Sequence, residues 1–341
     1  MGHAHVVVPA DAPDPRAVLA AFGLPGAPVA VTAVEGGWSN RVLRLRTTQG
    51  DYAVKELQNP WGEPRWREWL EEGWRLERAV VAAGIGVPEA VPVPDTPGCV
   101  AFVARADGSG DAPVRVHRWV DAARPGPGPV TLDVAAWAGR TLAAIHALAM
   151  EPRDPSLFPV PGTWTADTWP DLVARTRAAG VSWWGLLSVA GSSVRRAADL
   201  VPAPDGTPAV MSHGDLDQKN LLVTRAGPLL CDWDVAVPLV PERDLADVAV
   251  SLASWRDRAV ALEVLGAYAE AGGSVRPPRP QDVGPSLMVR LDWIAFCVDR
   301  ASGVRPADRD EAARAASLVP GLLGELERQV EVAESLDTWL T

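Results

Sequence analysis

SHGDLDQKN, from Ser212 to Asn220, puts a histidine, two aspartates, a lysine and an asparagine into nine residues. Asp, Asn and Gly are also what ordinary turns are made of, so the stretch alone is compatible with a solvated loop. Two further features favour chemistry. Asp215 and Asn220 are five residues apart, the spacing by which a kinase catalytic loop sets a base and a metal-binding amide around one phosphate. Twelve residues beyond Asn220 comes LLCDWDVAVP, whose apolar run Leu229, Leu230, Cys231 reads as a buried strand delivering Asp232. A carboxylate oxygen there suits Mg²⁺, a hard cation. A loop base, a loop amide and a strand-end carboxylate together fit two-metal phosphoryl transfer.

The amino-terminal part supplies what such a loop would need. From Pro28 to Leu57 the pattern is β-like: VAVTAVEGG turns into RVLRLRT, and TQG turns into DYAVKEL, which predicts three antiparallel strands. Lys55 is a lone cation within the apolar third strand, an awkward place unless it faces a partner such as a phosphate. The first turn, VEGGWSN, offers Gly36, Gly37, Ser39 and Asn40, where backbone N–H groups and a hydroxyl can approach phosphate oxygens. EPRWREWLEEGWRLERAVVAAG then predicts one long helix ending at Gly84, with Trp69, Leu76 and Val80 at helical spacing. Three of its glutamates are candidates to pair with Lys55. Glu72 lies four residues before Leu76 on the core-facing stripe and is favoured, Glu68 shares that face and is second, and Glu71 reads as solvated.

A hairpin follows, with its tip near Asp107 to Gly110 and VRVHRWV as the returning strand, until ARPGPGP breaks the chain. Beyond it Val134, Trp137, Thr141, Ile145 and Leu148 form one helical stripe, and helices dominate to the end except around residues 209 to 237. The expected class is α+β and bilobal: residues 1–14 a flexible terminus, 15–120 a small antiparallel sheet with one long helix, and 121–341 a larger, mostly helical lobe carrying the catalytic loop.

Composition narrows the class further. A chain of 341 residues with 48% hydrophobic and 22% charged residues is ordinary globular material in two lobes. A net charge of -11 and the lack of a basic tract argue against nucleic-acid binding. Charges beyond about 8 Å are screened at physiological salt, so this balance does not oppose a nucleotide held by local cations. Three scattered cysteines, Cys99, Cys231 and Cys297, fit a reducing compartment without disulfides or zinc. With neither a secretory leader nor a membrane-spanning run, the expectation is a cytoplasmic enzyme with no membrane contact.

Taken together, GGWSNRVLRL, YAVKEL, HGDLDQKN and CDWD resemble the aminoglycoside phosphotransferase family, which shares a protein-kinase-like fold with choline, homoserine and methylthioribose kinases. The resemblance extends over about residues 30 to 300, and RTLAAIHALA and ERDLADVAVSLASW look like family segments in which His146 and Asp244 are structural. Eukaryotic protein kinases match less well, because CDWD replaces their Asp-Phe-Gly and no peptide-binding activation segment is evident. The resemblance implies ATP or GTP with Mg²⁺ and a hydroxyl acceptor. Asp215 would deprotonate that hydroxyl, and Asn220 and Asp232 would hold the metal. Lys55, positioned by Glu72, would contact the α- and β-phosphates, and the backbone of Arg118, Trp119 and Val120 would bind adenine. His213 would brace the loop, while Asp217 and Asp234 either accept hydrogen bonds from groups behind the site or are plain turn or solvent-facing residues.

For the acceptor, the resemblance points to segments around Trp164, Trp169, Trp183 and Trp184 and to LDWIAFCVDRA, where aromatic faces and carboxylates suit sugars or ammonium groups. Asp292 and Asp299 fall on one helical face and are the candidate cation contacts, although most of the 15 tryptophans must be core. The implied activity is phosphorylation of an antibiotic by a monomer or homodimer. The alternatives are a metabolic kinase for an amino alcohol, amino acid or sugar, and a nucleotide-binding pseudo-enzyme. Retention of Lys55, Asp215, Asn220 and Asp232 together argues against the last.

Overall fold

A computed structural model of the protein describes residue 9 and residues 11–34, 40–58, 62–158, 164–165, 167–203, 206–274 and 276–340. Helix α1 (Pro15–Ala21) leads into β1 (Pro28–Val34), β2 (Asn40–Thr47) and β3 (Asp51–Leu57). Then come α2 (Trp66–Ala82), β4 (Ala90–Val91), β5 (Ala101–Ala104) and β6 (Asp111–Arg118). These strands form one antiparallel sheet in the order β1-β2-β3-β6-β4, with β5 also paired to β6. Of the terminus expected to be flexible, residues 1–8 and 10 lie outside the described residues. By contrast, Ala12 is buried, Pro13 bridges Arg105, and Asp14 caps α1 through the N–H groups of Arg16 and Ala17.

Strand alternation decides what the sheet presents. Successive side chains point to opposite faces. Leu43, Leu45, Val54, Val114 and Val116 accordingly share a core with Val18 and Leu19 of α1 and with Phe22 at its C-terminal cap. Lys55 and Arg115 are register partners on adjacent β3 and β6, and with His117 they take the opposite face.

The chain continues through α3 (Leu132–Ala147), α4 (Trp169–Ala178), α5 (Trp184–Asp199), β7 (Val210–Ser212), β8 (Leu221–Thr224), β9 (Gly227–Leu230) and β10 (Val237–Leu239). It ends with α6 (Pro241–Leu252), α7 (Arg258–Glu270), α8 (Gly284–Ala301), α9 (Arg309–Glu334) and α10 (Leu336–Trp339). Two compact units result. The first comprises residues 1–126, 152–157 and 213–237, and the second 127–151, 158–212 and 238–341. The catalytic-loop segment, expected with the helices, therefore groups with the sheet. Backbone bonds explain this: Leu230 N–H donates to Gly86 O at 3.0 Å, and Ala123 exchanges bonds with Val223 at 3.0 and 2.8 Å.

In the second unit α5, α8 and α9 build a core containing Trp169, Trp255, Leu291 and Leu326, with Trp164 and Trp183 packed against it. His146 bonds Asp244 and the Tyr268 hydroxyl at 2.9 Å each, an internal network that fits the structural role expected of that pair. Among the described residues, no helix is long and apolar enough to cross a membrane.

Gly73 of α2 lies against the Trp233 carbonyl, where an added Cβ would sit 2.5 Å from the oxygen. Overpacking a fitted contact of this kind costs about 1–3 kcal/mol. Gly73→Ala is therefore expected to lower the unfolding free energy by that amount, read as a lower urea midpoint with the m-value unchanged, despite alanine's better helix propensity.

Candidate active site

The site residues of the first unit are brought together by one short hairpin. Leu221 of β8 pairs with Leu230 of β9, and the ladder runs one step further where Cys231 N–H donates to Asn220 O at 3.0 Å. The residues flanking this end are the loop Ser212–Asn220 on one side and Asp232 on the other. Asp232 itself adopts a left-handed conformation, φ +72° and ψ +56°, which aspartate tolerates better than most residues. That reversal starts a single 3₁₀ turn, Trp233–Val235, and lets both Asp232 and Asp234 reach the same lysine.

The loop is held from within. The Asp215 N–H donates to His213 Nδ1 at 3.2 Å, and His213 Nε2–H donates to Cys231 O at 3.0 Å, which fixes the tautomer and ties the loop to the hairpin. Gly214 has φ +79°, and a Cβ there would meet Val235 O and Val237 Cγ2 at 2.8 Å. Asn220 Nδ2 donates to the Asp215 carbonyl at 2.7 Å and to Asp215 Oδ2 at 2.9 Å, so its carboxamide oxygen is turned away from Asp215. Lys219 Nζ stands 2.7 Å from Asp215 Oδ1 and 3.3 Å from Asp217 Oδ2. Burial pushes the Asp215 carboxyl above the usual carboxylate range, and the Lys219 charge opposes that rise. Asp217 also accepts from the Gln218 N–H. Sequence reasoning left Lys219 unassigned because a charged residue in a turn reads as solvated.

Lys55 is mostly enclosed, with 12% of its side chain exposed, and does not pair with Glu72. Its ammonium donates to Asp232 Oδ1 at 2.5 Å and forms an ion pair with Asp234 Oδ2 at 2.5 Å. Burial, the largest effect on Lys55, lowers its pKa, but the Asp232 and Asp234 charges outweigh it and leave the ammonium more basic than usual. Glu72 is buried elsewhere, against Arg75 at 2.6 Å and the Arg153 N–H at 3.2 Å, and Glu68 is bonded to Arg65. The expected pairing fails because the stripe facing the sheet and hairpin runs through Leu70, Gly73, Trp74, Glu77 and Val80. Glu72 instead points at residues 152–157, whose approach no local pattern announces.

Glu77 occupies the place expected of Glu72 but holds a different cation. It pairs with Arg115 and lies 3.0 Å from His117 Nε2, and Arg115 in turn pairs with Asp234. All three of Glu77, Arg115 and Asp234 are buried. Burial raises the Asp234 carboxyl most, yet Arg115 and Lys55 overcome it and hold the group well below the usual range.

The remaining expected positions divide clearly. Gly36, Gly37 and Ser39 lie outside the described residues, while Asn40 opens β2 and accepts from the Gln58 N–H at 3.2 Å. In the hinge stretch the Arg118 N–H is committed to Glu89 O at 2.8 Å and the Trp119 N–H to Asp51 O at 2.9 Å. In the second unit, Trp164 Nε1 donates to Asp292 Oδ1 at 2.6 Å, and Arg175 bonds Asp299 at 3.3 Å. Each acceptor-side carboxylate thus already serves a partner within the protein.

For a divalent cation, the donor set comprises the Asn220 carboxamide and the Asp232 carboxylate, both hard oxygen donors. Among the described residues no three His, Cys, Asp or Glu side chains converge into a metal cage. Such a pair fits Mg²⁺, which keeps several waters and takes further oxygens from a phosphate substrate.

Residues 30–278 match the family model described as the phosphotransferase enzyme family. No curated protein sequence matches the chain. Among solved structures, spectinomycin phosphotransferase in complex with ADP and spectinomycin aligns with a TM-score of 0.67 at 13% identity, covering 94% of this chain and 96% of that one. A microcompartment-associated aminopropanol kinase gives 0.57 at 19% identity, with 93% and 97% covered. The aminoglycoside phosphotransferase of Alicyclobacillus acidocaldarius gives 0.56 at 14% identity, with 98% and 97% covered. At these identities the likeness shows the fold alone, the protein-kinase-like one with an antiparallel sheet and a helical part.

The buried charges make stability depend on pH. Burial, the largest effect, raises the Glu77 carboxyl, but Arg115 and His117 together hold it below its ordinary value. A folded-state pKa depressed in this way contributes stability that is fully present above the unfolded value, about 4.3, and is lost as pH falls through the folded one. Urea-unfolding free energies are expected to decline below about pH 4.5. Glu77→Gln is expected to be less stable at pH 7 and to show a shallower acid slope.

Proposed function

This chain belongs to the phosphotransferase enzyme family, and from that premise we propose that it transfers the γ-phosphoryl group of ATP or GTP to a hydroxyl of an antibiotic, an aminoglycoside or another hydroxylated natural product. The observation that carries the chemistry is the convergence of Asp215, Asn220, Asp232 and Lys55 at one end of the β8–β9 hairpin. Asp215 accepts the proton as the acceptor oxygen bonds to the γ-phosphorus and the bond to the β,γ-bridging oxygen breaks, leaving the nucleoside diphosphate. Asn220, bonded to Asp215 Oδ2, orients the base and offers its carboxamide oxygen to the metal. Mg²⁺, held by Asn220 and Asp232 when bound, would neutralise charge on the phosphate oxygens. Lys55 supplies a cation for the α- and β-phosphates, worth roughly 4 kcal/mol at 4 Å and an effective dielectric of 20. With the Arg118 and Trp119 amides committed, the amide of Val120 is the donor in that stretch for an adenine ring.

Positioning does most of the work in this chemistry. General-base assistance adds about 10²- to 10⁴-fold. Asp215→Asn is expected to lower turnover by at least about 100-fold while still binding nucleotide. A coupled assay with Mg²⁺ and ATP or GTP, run over aminoglycosides, other hydroxylated antibiotics, amino alcohols and sugars, tests the reading directly. Phosphorylated antibiotic supports it, turnover of an amino alcohol alone moves the assignment to a metabolic kinase, and absence of both nucleotide binding and transfer removes it.

A further inference from the structure

Lys55 has two carboxylate partners at the same 2.5 Å, but they are not equivalent. The Asp232 side chain is 36% exposed, whereas that of Asp234 is 5% exposed. Asp234 divides its oxygens between two cations: Oδ1 is paired with Arg115, and Oδ2 lies against Lys55 with no hydrogen bond from any other described group. Arg115 is in turn fastened to Glu77 on α2. The order of charges is therefore Glu77, Arg115, Asp234, Lys55, Asp232, alternating in sign, with two positive groups against three negative ones.

That arrangement has a loose end and a fixed end. Asp232, next to solvent, can turn toward an arriving metal without stranding a buried charge. Asp234 cannot turn away, because Arg115 would be left in the interior with one carboxylate where it now has two, and Lys55 with Asp232 alone. An ammonium has three protons to donate. One is hydrogen-bonded to Asp232 here, and release of Asp232 frees it for phosphate oxygens while the Asp234 ion pair holds the ammonium in place.

We infer that Asp234, anchored by Arg115 and Glu77, is the positioning residue that aims Lys55 at the nucleotide, the task expected of a helix carboxylate paired directly with the lysine. This rests on the nucleotide-dependent reading above. It assigns a role to three residues that touch neither acceptor nor reacting atoms. It also relocates the coupling between α2 and the phosphate site from a single ion pair to a four-member relay.

Isothermal titration with ADP, in EDTA and again with Mg²⁺, tests the assignment on the intact chain. Asp234→Asn is expected to weaken ADP binding at least tenfold under both conditions. Its acceptor KM, measured at saturating nucleotide, stays within twofold of the parent, a split that general loosening of the fold would not produce. Glu77→Gln, which keeps a hydrogen-bonding amide on Arg115, is expected to weaken ADP binding about threefold and to add little to Asp234→Asn in the double variant. A folded Asp234→Asn with parental ADP affinity overturns the inference. Should that variant fail to fold, unchanged ADP affinity in Glu77→Gln overturns it equally. Parent protein that binds no ADP under either condition defeats the kinase reading itself, a result separable from both.

Discussion

Five charges in alternating order, three of them buried, set the terms for the first unit. Burying any of them alone would be prohibitive, and replacing the set by apolar residues would cost the fold little. Their presence fixes geometry: β3 supplies Lys55, β6 supplies Arg115, α2 supplies Glu77, and the turn after β9 supplies Asp232 and Asp234. Four separate stretches of chain must arrive together before any of these groups is satisfied. The antiparallel register that sets Lys55 opposite Arg115 and the left-handed backbone at Asp232 are both conditions of that arrival.

The division into strands, helix and catalytic loop was legible because each announces itself locally, through alternation, 3.6-residue spacing or turn chemistry. Asp215, Asn220 and Asp232 were legible for the same reason, since five residues and a two-strand hairpin suffice to relate them. The partner of Lys55 was not. In VRVHRWV the valines claim the core face, so Arg115 and His117 read as the solvent side of a half-buried strand. Only the helix laid over that face turns them into an interior network. The choice between Glu72 and Glu77 is of the same kind: both are buried on one helix, and what separates them is a segment near Arg153, 81 residues away from Glu72.

The second unit shows the converse. Its tryptophans and the carboxylates of α8 suggested an acceptor wall. Trp169 and Trp255 are core, Trp164 is spent on Asp292, and Arg175 on Asp299. Composition correctly marked the region as aromatic and acidic, but internal satisfaction of polar groups is the default in a folded interior. Selectivity for one hydroxylated compound over another has to come from groups with spare hydrogen-bonding capacity, and one oxygen of each carboxylate is already committed.

Gly214 carries a different kind of message. It stands between His213 and Asp215, contributes no side chain, and is closed on one flank by Val235 and Val237. A catalogue of tolerated substitutions across the loop would rank it beside Asp215 and Asn220, although it has no side chain to offer a ligand. Intolerance at this site reports on space and handedness alone, so a mutational map of the loop read without the coordinates would count one reactive residue too many.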